Sequence, residues 1–433
     1  MRLSFGRSRY SYRHPIAATG VATALALAST VVTSSPSWAI SSSTNLTWFF
    51  WTGSPGETAV WQHNASLVSK IYPNLHVRLV TTSWTDFWSK LPLEASTHSM
   101  PCLAGLQFGY VGADHNLFIP LNSFIKKYHY SLKPFEPTMI RELSDNGQLL
   151  ALPYDFGPVV IAYNENLFKQ KHVPLPTNGW TWSEFLKDAK TLTGGGTYGY
   201  LPAVSLELAY DLTGAPNTWV QNGKFNLTNK TFEKGVQAQA ELDYKYHVTP
   251  AFSEAPNWAT EEFDSGKVAM EVNGPWSLID FKGQSSFPVG WVEFPSGPDG
   301  MHTYNEGSGF GITKDCSDPT AAWKALTVLV NQQALAWAGS HGRAFPARLA
   351  DDNLWSRFAG GDAGAVMEAA LVKAEAMEVT TNWTAFQTAL TKYEPLVLSG
   401  KISAAQFAAQ VQDASGPGQG ISPGNLSSLL GGA

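Results

Sequence analysis

The apolar positions of this chain switch repeatedly between continuous runs and helical stripes. Asn45-Leu-Thr-Trp-Phe-Phe-Trp51 is a nearly unbroken apolar run and predicts a buried strand. Ser54-Pro55-Gly56-Glu57 then forms a capping-box pattern with proline at the first helical position, and Trp61, Ala65, Val68 and Tyr72 share one helical face. The pattern predicts a second strand at Leu75–Thr81, a helix at Trp84–Leu93 and a third strand at Leu103–Phe108. Such a βαβαβ order argues for a parallel sheet with helices on its faces. Further strands are expected at Pro158–Tyr163, Val268–Val272, Val289–Phe294 and Gly309–Thr313. Helices are expected from the capping box Thr181–Glu184 through Lys190, from Thr231 to Lys245, and from Asp318 to Asn331. Residues 364–412 read as all-helical, with a third capping box at Ser403–Gln406, and from Ser415 onward Gly, Ser and Pro predict a loose tail. No internal repeat is found.

The N-terminus reads as a targeting segment. Arg2, Arg7, Arg9 and Arg13 precede an uncharged stretch from Ile16 to Val32, and Ser37-Trp38-Ala39 offers small residues where a signal peptidase cuts. Residues 1–39 are therefore expected to be a signal peptide. The competing reading is an uncleaved anchor, because the apolar stretch approaches the roughly 20 residues of a membrane span. The protein is expected to be exported, periplasmic or extracellular, or tethered where that segment is retained. Export changes the meaning of Cys102 and Cys316, because outside the cytoplasm two thiols more often form one disulfide than a metal or redox site.

Composition narrows the function. The chain has 433 residues, 29 Lys+Arg against 35 Asp+Glu, and a formal charge of -6. Charged residues are 15% of it, against roughly 25% in an average soluble protein. It is too apolar to be disordered and has no basic footprint for nucleic acid. Sixteen Trp in a charge-poor chain suit a protein that handles neutral polar ligands. HExxH, GxSxG, GxxxxGK[ST] and a strand-linked GxGxxG are all missing, and the histidines are not clustered at metal spacing. Gly307-Ser308-Gly309-Phe310-Gly311 lacks the nucleophile-elbow pattern and reads as a Gly-rich turn between strands. No cofactor is expected. A carboxylate pair at glycosidase separation remains open, because many acids are present.

Several motifs then fall in one order. They are Trp84-Thr-Asp-Phe-Trp-Ser-Lys-Leu91, Leu149-Leu-Ala-Leu-Pro-Tyr-Asp-Phe156, Tyr163-Asn-Glu-Asn-Leu-Phe168 and Trp180-Thr-Trp-Ser-Glu-Phe185. Gly266-Lys-Val-Ala-Met-Glu-Val-Asn-Gly-Pro-Trp276, Val289–Pro295, Gly307–Lys314, Asp318–Trp323, Phe345–Arg348 and Asn382-Trp383 complete the set. In this order they resemble the extracellular solute-binding proteins of ABC importers, in the sugar-binding branch that includes the maltose binders. The resemblance implies a two-lobed periplasmic-binding-protein fold of α/β class, each lobe a mostly parallel sheet flanked by helices, with the ligand cleft at the hinge. It places lobe one at 40–157 and 309–345, lobe two at 158–308 and 346–414, and the flexible tail at 415–433. It implies a monomer that binds carbohydrate, does no catalysis, and delivers its ligand to an ABC-type membrane permease. A binder of glycerol phosphate esters or polyamines and a secreted glycoside hydrolase are the alternatives.

The resemblance also supplies candidate ligand residues, and the chemistry of a sugar supports them. Rings stack on its C–H faces, while carboxylates and amides meet its hydroxyls. Trp276, after the Asn273-Gly274-Pro275 turn, matches a stacking Trp of the family. Trp51 and Gly53 sit at a strand-to-helix turn, where doubly wound sheets expose ligand sites. Glu57 follows, with a cap as its alternative role. Trp84 precedes a helix, and Gln107 and Phe108 end the third strand. Tyr154 and Asp155 occupy the hinge motif, with a structural hydrogen bond as the alternative for Asp155. Gly307 and Ser308 lie on the returning strand. Arg343 either reaches ligand or pairs with an acid, and Trp383 matches an aromatic position of the cleft. Because the family's returning strand lies antiparallel beside the third strand, the resemblance also implies a Cys102–Cys316 disulfide.

Overall fold

The computed structural model describes residues 43–430 apart from 202, 204–208, 210, 211, 213–218, 252–259 and 299. The expected leader at 1–39 lies outside the described residues. Among those described, no helix is long and apolar enough to cross a membrane.

The first sheet has six strands. The apolar run Thr44–Trp51 lies one strand in from its edge, parallel to the edge strand Leu75–Thr82 on one side and to Leu103–Gln107 on the other. The helices Pro55–Ile71 and Trp84–Ser96 connect these strands. A return strand, Thr303–Ile312, runs antiparallel to Leu103–Gln107 and also to the hinge-motif strand Ala151–Pro158, with an irregularity between Ser308 and Gly309. The last strand, Ala374–Ala376, pairs in parallel with Thr303–Asn305. The pattern missed it inside a stretch read as helical, because three residues carry no measurable period.

The second sheet has three strands and departs from the expected parallel direction. Its central strand, Val160–Asn164, is antiparallel to both Met270–Asn273 and Val289–Val292. The two outer strands run the same way and are joined through the helix Leu278–Gln284, a crossover that straddles the central strand. The fold is thus α/β and two-lobed, with one core around Trp48, Trp61 and Phe310 and another around Ile161, Phe185 and Trp291.

Local signals placed most element ends. Thr181 and Glu184 form a reciprocal capping box, as do Ser403 and Gln406. At Ser54 the serine caps as expected, its Oγ accepting from Glu57 N at 3.1 Å, but the Glu57 side chain turns elsewhere. Cys102 and Cys316 form a disulfide with Cα atoms 4.3 Å apart, closing a sequence separation of 214. Strand pairing brings them together, since Leu103 lies opposite Ile312 and Thr313 N donates to Cys102 O at 3.1 Å.

The C-terminal segment is tied down where a loose tail was expected. Thr381 N donates to Gln419 O, Asn146 N to Ser422 O and Gly147 N to Pro423 O, at 2.8, 2.7 and 2.8 Å. Ile421 packs against the first core and Leu426 is buried in it. Two apolar anchors among Gly, Ser and Pro are enough to hold the segment. Gly424 and Gly147 both have positive φ, and their close approach leaves no room for a Cβ at Gly424.

Candidate functional site

Strand register assembles the polar part of the site. On the return strand Ser308 lies opposite Gln107 on one side and Asp155 on the other, so three candidate residues form one row across the sheet. Ser308 N donates to Asp155 Oδ1 at 2.9 Å. Arg343 arrives from the end of the helix Gln332–Ser340, where Gly342 takes φ +73° and a Cβ would strike Phe358. That turn drives the guanidinium inward, and Arg343 is 3% exposed.

Arg343 spends its donors on protein. Its Nε donates to Glu57 Oε1, its Nη1 to Asp155 Oδ2 at 3.3 Å, and its Nη2 to the Tyr154 hydroxyl at 3.3 Å. The guanidinium lies over the Trp61 ring, 5.1 Å from its centroid. Glu57 Oε2 accepts from Gly53 N at 2.6 Å, which explains why it does not complete the capping box. Two carboxylates thus share one buried cation. Burial pushes the Asp155 carboxyl up, while the Arg343 guanidinium and the Ser308 amide hold it down. Burial alone would lower the Arg343 pKa, but the carboxylates of Glu57 and Asp155 outweigh it and keep the guanidinium charged. Tyr154 is also a core residue, its ring stacked on Phe310 at 4.5 Å.

The aromatic part is a separate cluster. Trp51, at the end of the strand Thr44–Trp51, meets Trp84 edge-on at 4.9 Å and Trp88 at 5.5 Å. Trp88 in turn stacks on Tyr110 at 3.4 Å between centroids with the planes 4° apart. Trp51 is buried, whereas Trp84 is 43% exposed, so the cluster presents one open ring on a rigid aromatic base. Trp88 and Tyr110 were not among the candidates. Trp88 carries a signal, because it lies one helical turn after Trp84; Tyr110 reaches the cluster only through tertiary packing.

The remaining candidates are held as follows. Phe108 is buried, and Gln107 Oε1 accepts from Gly109 N at 2.8 Å. Trp383 begins the helix Trp383–Leu398, is buried, and places its indole so close to Gly109 that a Cβ there would collide with Nε1. Asn273 shapes its own turn, accepting at Oδ1 from Gly274 N and from the Ser277 hydroxyl while its Nδ2 donates to Glu271 at 2.8 Å. Half-buried Trp276 folds back over Gly274, where a side chain would collide with the ring. Burial pushes the Glu271 carboxyl up to about 8. Gly307 packs against Met139. Gly53 faces Asp280, which sequence reading also missed and whose carboxyl burial pushes up to about 6. No group of three or more potential metal-ligating residues occurs among the described residues.

Comparison with known proteins places the fold and the family. Among solved structures, an ABC substrate-binding protein from Listeria monocytogenes in complex with cycloalternan superposes with a TM-score of 0.79 at 18% identity, over 90% of this chain and 100% of that one. The GacH receptor of Streptomyces glaucescens, solved unliganded and with acarbose, gives 0.73 at 20% identity, over 86% and 97%. The Thermus thermophilus maltotriose-binding protein bound with maltotriose gives 0.71 at 20% identity, over 86% and 100%. These likenesses establish the shared fold. Residues 70–353 match the family described as bacterial extracellular solute-binding protein, and the chain belongs to that family.

Proposed function

We propose that this protein captures a neutral sugar or oligosaccharide between its two lobes and delivers it to an ABC-type permease without chemically altering it. The carrying observation is the aromatic cluster with Trp84 open to solvent, a platform of the kind on which sugar C–H faces stack. The ionic network supports a neutral ligand. At the strand-end row, Glu57 and Asp155 are paired with Arg343 and so offer a polyamine no free acid there, and Arg343 offers a phosphate no free cation. The three solved relatives named above hold cycloalternan, acarbose and maltotriose.

In this reading lobe one comprises 40–157 and 309–345, lobe two 158–308 and 346–414, and the protein acts as a monomer after export and removal of residues 1–39. Lobe closure buries the ligand and gives the permease its recognition signal. Trp51, Trp84, Phe108, Trp276 and Trp383 supply ring surface. Gln107, Asn273 and Ser308 flank the cleft, while Gly53, Glu57, Tyr154, Asp155, Gly307 and Arg343 hold its floor in shape. The test is a tryptophan-fluorescence titration of the wild type and Trp84→Ala with the bound sugar. Losing one stacking ring is expected to weaken binding by about tenfold, or about 1.4 kcal/mol. The melting temperature should stay near that of the wild type, because Trp84 is half-exposed. Unchanged affinity would remove Trp84 from the site.

A further inference from the structure

One buried acid, Glu142, lies near Phe108 and outside the Arg343 network. A cavity of about 330 Å³ opens beside Phe108, within the roughly 300–1,000 Å³ of small-molecule sites. Three distant parts of the chain wall it. The short helix Pro137–Glu142 contributes Glu142, the stretch after Ala374–Ala376 contributes Met377 and Val379, and the tied C-terminal segment contributes Ile421. Its apolar walls, Phe108, Val220, Met377, Val379 and Ile421, all belong to the first core or pack on it, next to the candidate ligand residue Phe108.

Both carboxylate oxygens of Glu142 are buried and make no hydrogen bond among the described residues. The adjacent Arg141 does not reach them, since its Nη2 donates to Thr138 Oγ1 at 3.2 Å. Burial pushes the Glu142 carboxyl up to about 8. A buried acid with no partner opposes folding, and an apolar side chain of similar size would serve the fold better. The cavity that Glu142 lines has Phe108, Val220, Met377, Val379 and Ile421 as apolar walls and Thr138, Arg141, Ser144 and Glu378 as polar ones, a mix that matches a ligand with an apolar face and hydroxyls at its edge.

We propose that this cavity is a subsite for the sugar and that Glu142 is the residue that hydrogen-bonds one of its hydroxyls. The inference rests on the sugar-binding reading above and adds the group that selects among sugars. Stacking fixes only the plane of a ring, whereas one fixed hydrogen-bonding group distinguishes the hydroxyl pattern around it.

The test uses the full exported chain, with Glu142→Leu and Glu142→Gln compared to wild type. Calorimetric titration uses whichever neutral sugar saturates the wild type, and thermal melting is run in parallel. Expected is a loss of affinity of at least about fivefold in Glu142→Leu, with a melting temperature at or above that of the wild type. Glu142→Gln keeps the shape and some hydrogen bonding, and is expected to fall between the two in affinity. A smaller loss in Glu142→Leu would overturn the assignment, as would a melting temperature well below wild type, which would make the acid structural. Failure of the wild type to bind any neutral sugar would overturn the functional reading itself, so the two failures are separable.

Discussion

Replacing Arg343 with Met is expected to destabilise the protein by about 3–5 kcal/mol, because it strands two buried carboxylates that share one cation. The side chains of Arg343, Glu57 and Asp155 are 4%, 6% and 9% exposed, so water cannot take over the lost contacts. Urea unfolding followed by tryptophan emission measures the loss, and Trp61 beneath the guanidinium reports on the site directly. The partner substitution sharpens the result. Adding Glu57→Gln to Arg343→Met removes one of the stranded charges, so the pair should be less destabilised than the sum of the single variants. Full additivity, or a single-variant loss below about 1 kcal/mol, would mean that the network is an incidental surface-like contact.

The second large effect concerns Cys102 and Cys316. The bridge closes a sequence separation of 214, and loop-closure entropy for so long a loop corresponds to an upper bound of about 5 kcal/mol. Replacing both cysteines with serine is expected to cost about 2–5 kcal/mol, measured by the same unfolding experiment. The fold should survive at low temperature, because the strands Leu103–Gln107 and Thr303–Ile312 are already paired through their backbones. The wild type should lose the same stability on reduction, whereas the double variant should not respond to reductant. Identical melting of oxidised and reduced wild type would contradict this.

These two cases show what sequence could and could not deliver. Apolar runs and caps located the first three strands of the first sheet, part of its return strand and the longer helices, because those signals act within a few residues. The capping box at Thr181 and the strand Leu75–Thr82 needed nothing else. Family resemblance put Glu57, Asp155 and Arg343 on one candidate list. It did not reveal that they bind each other, since Arg343 is 286 residues from Glu57 and 188 from Asp155. Direction in the second sheet was hidden for a related reason: strand pattern reports burial, while the crossover through Leu278–Gln284 sets which way the outer strands run. Glu142 was not among the candidates, because its neighbours along the chain do not set it apart. It shares the wall of its cavity with Met377, Val379 and Ile421, which arrive from the far end of the chain. Composition read the C-terminal segment as loose, but Ile421 and Leu426 decide its fate.

The account also divides the work of the aromatic residues. Most of the sixteen Trp fill cores, as Trp48, Trp61, Trp219 and Trp355 do, each fully buried. A low charge and many rings therefore say as much about two large cores as about a ligand. The proposed ligand contact rests on the few rings at strand ends and on Trp84 above all.

Calorimetric titration of the exported chain with a panel of neutral mono- and oligosaccharides, run beside a glycerol phosphate ester and a polyamine, tests the central claim most directly. The account predicts one-to-one saturable binding of one class of neutral sugar, which is recovered unchanged. Saturation by a charged solute with no response to any neutral sugar, or the appearance of a cleaved product, would contradict it.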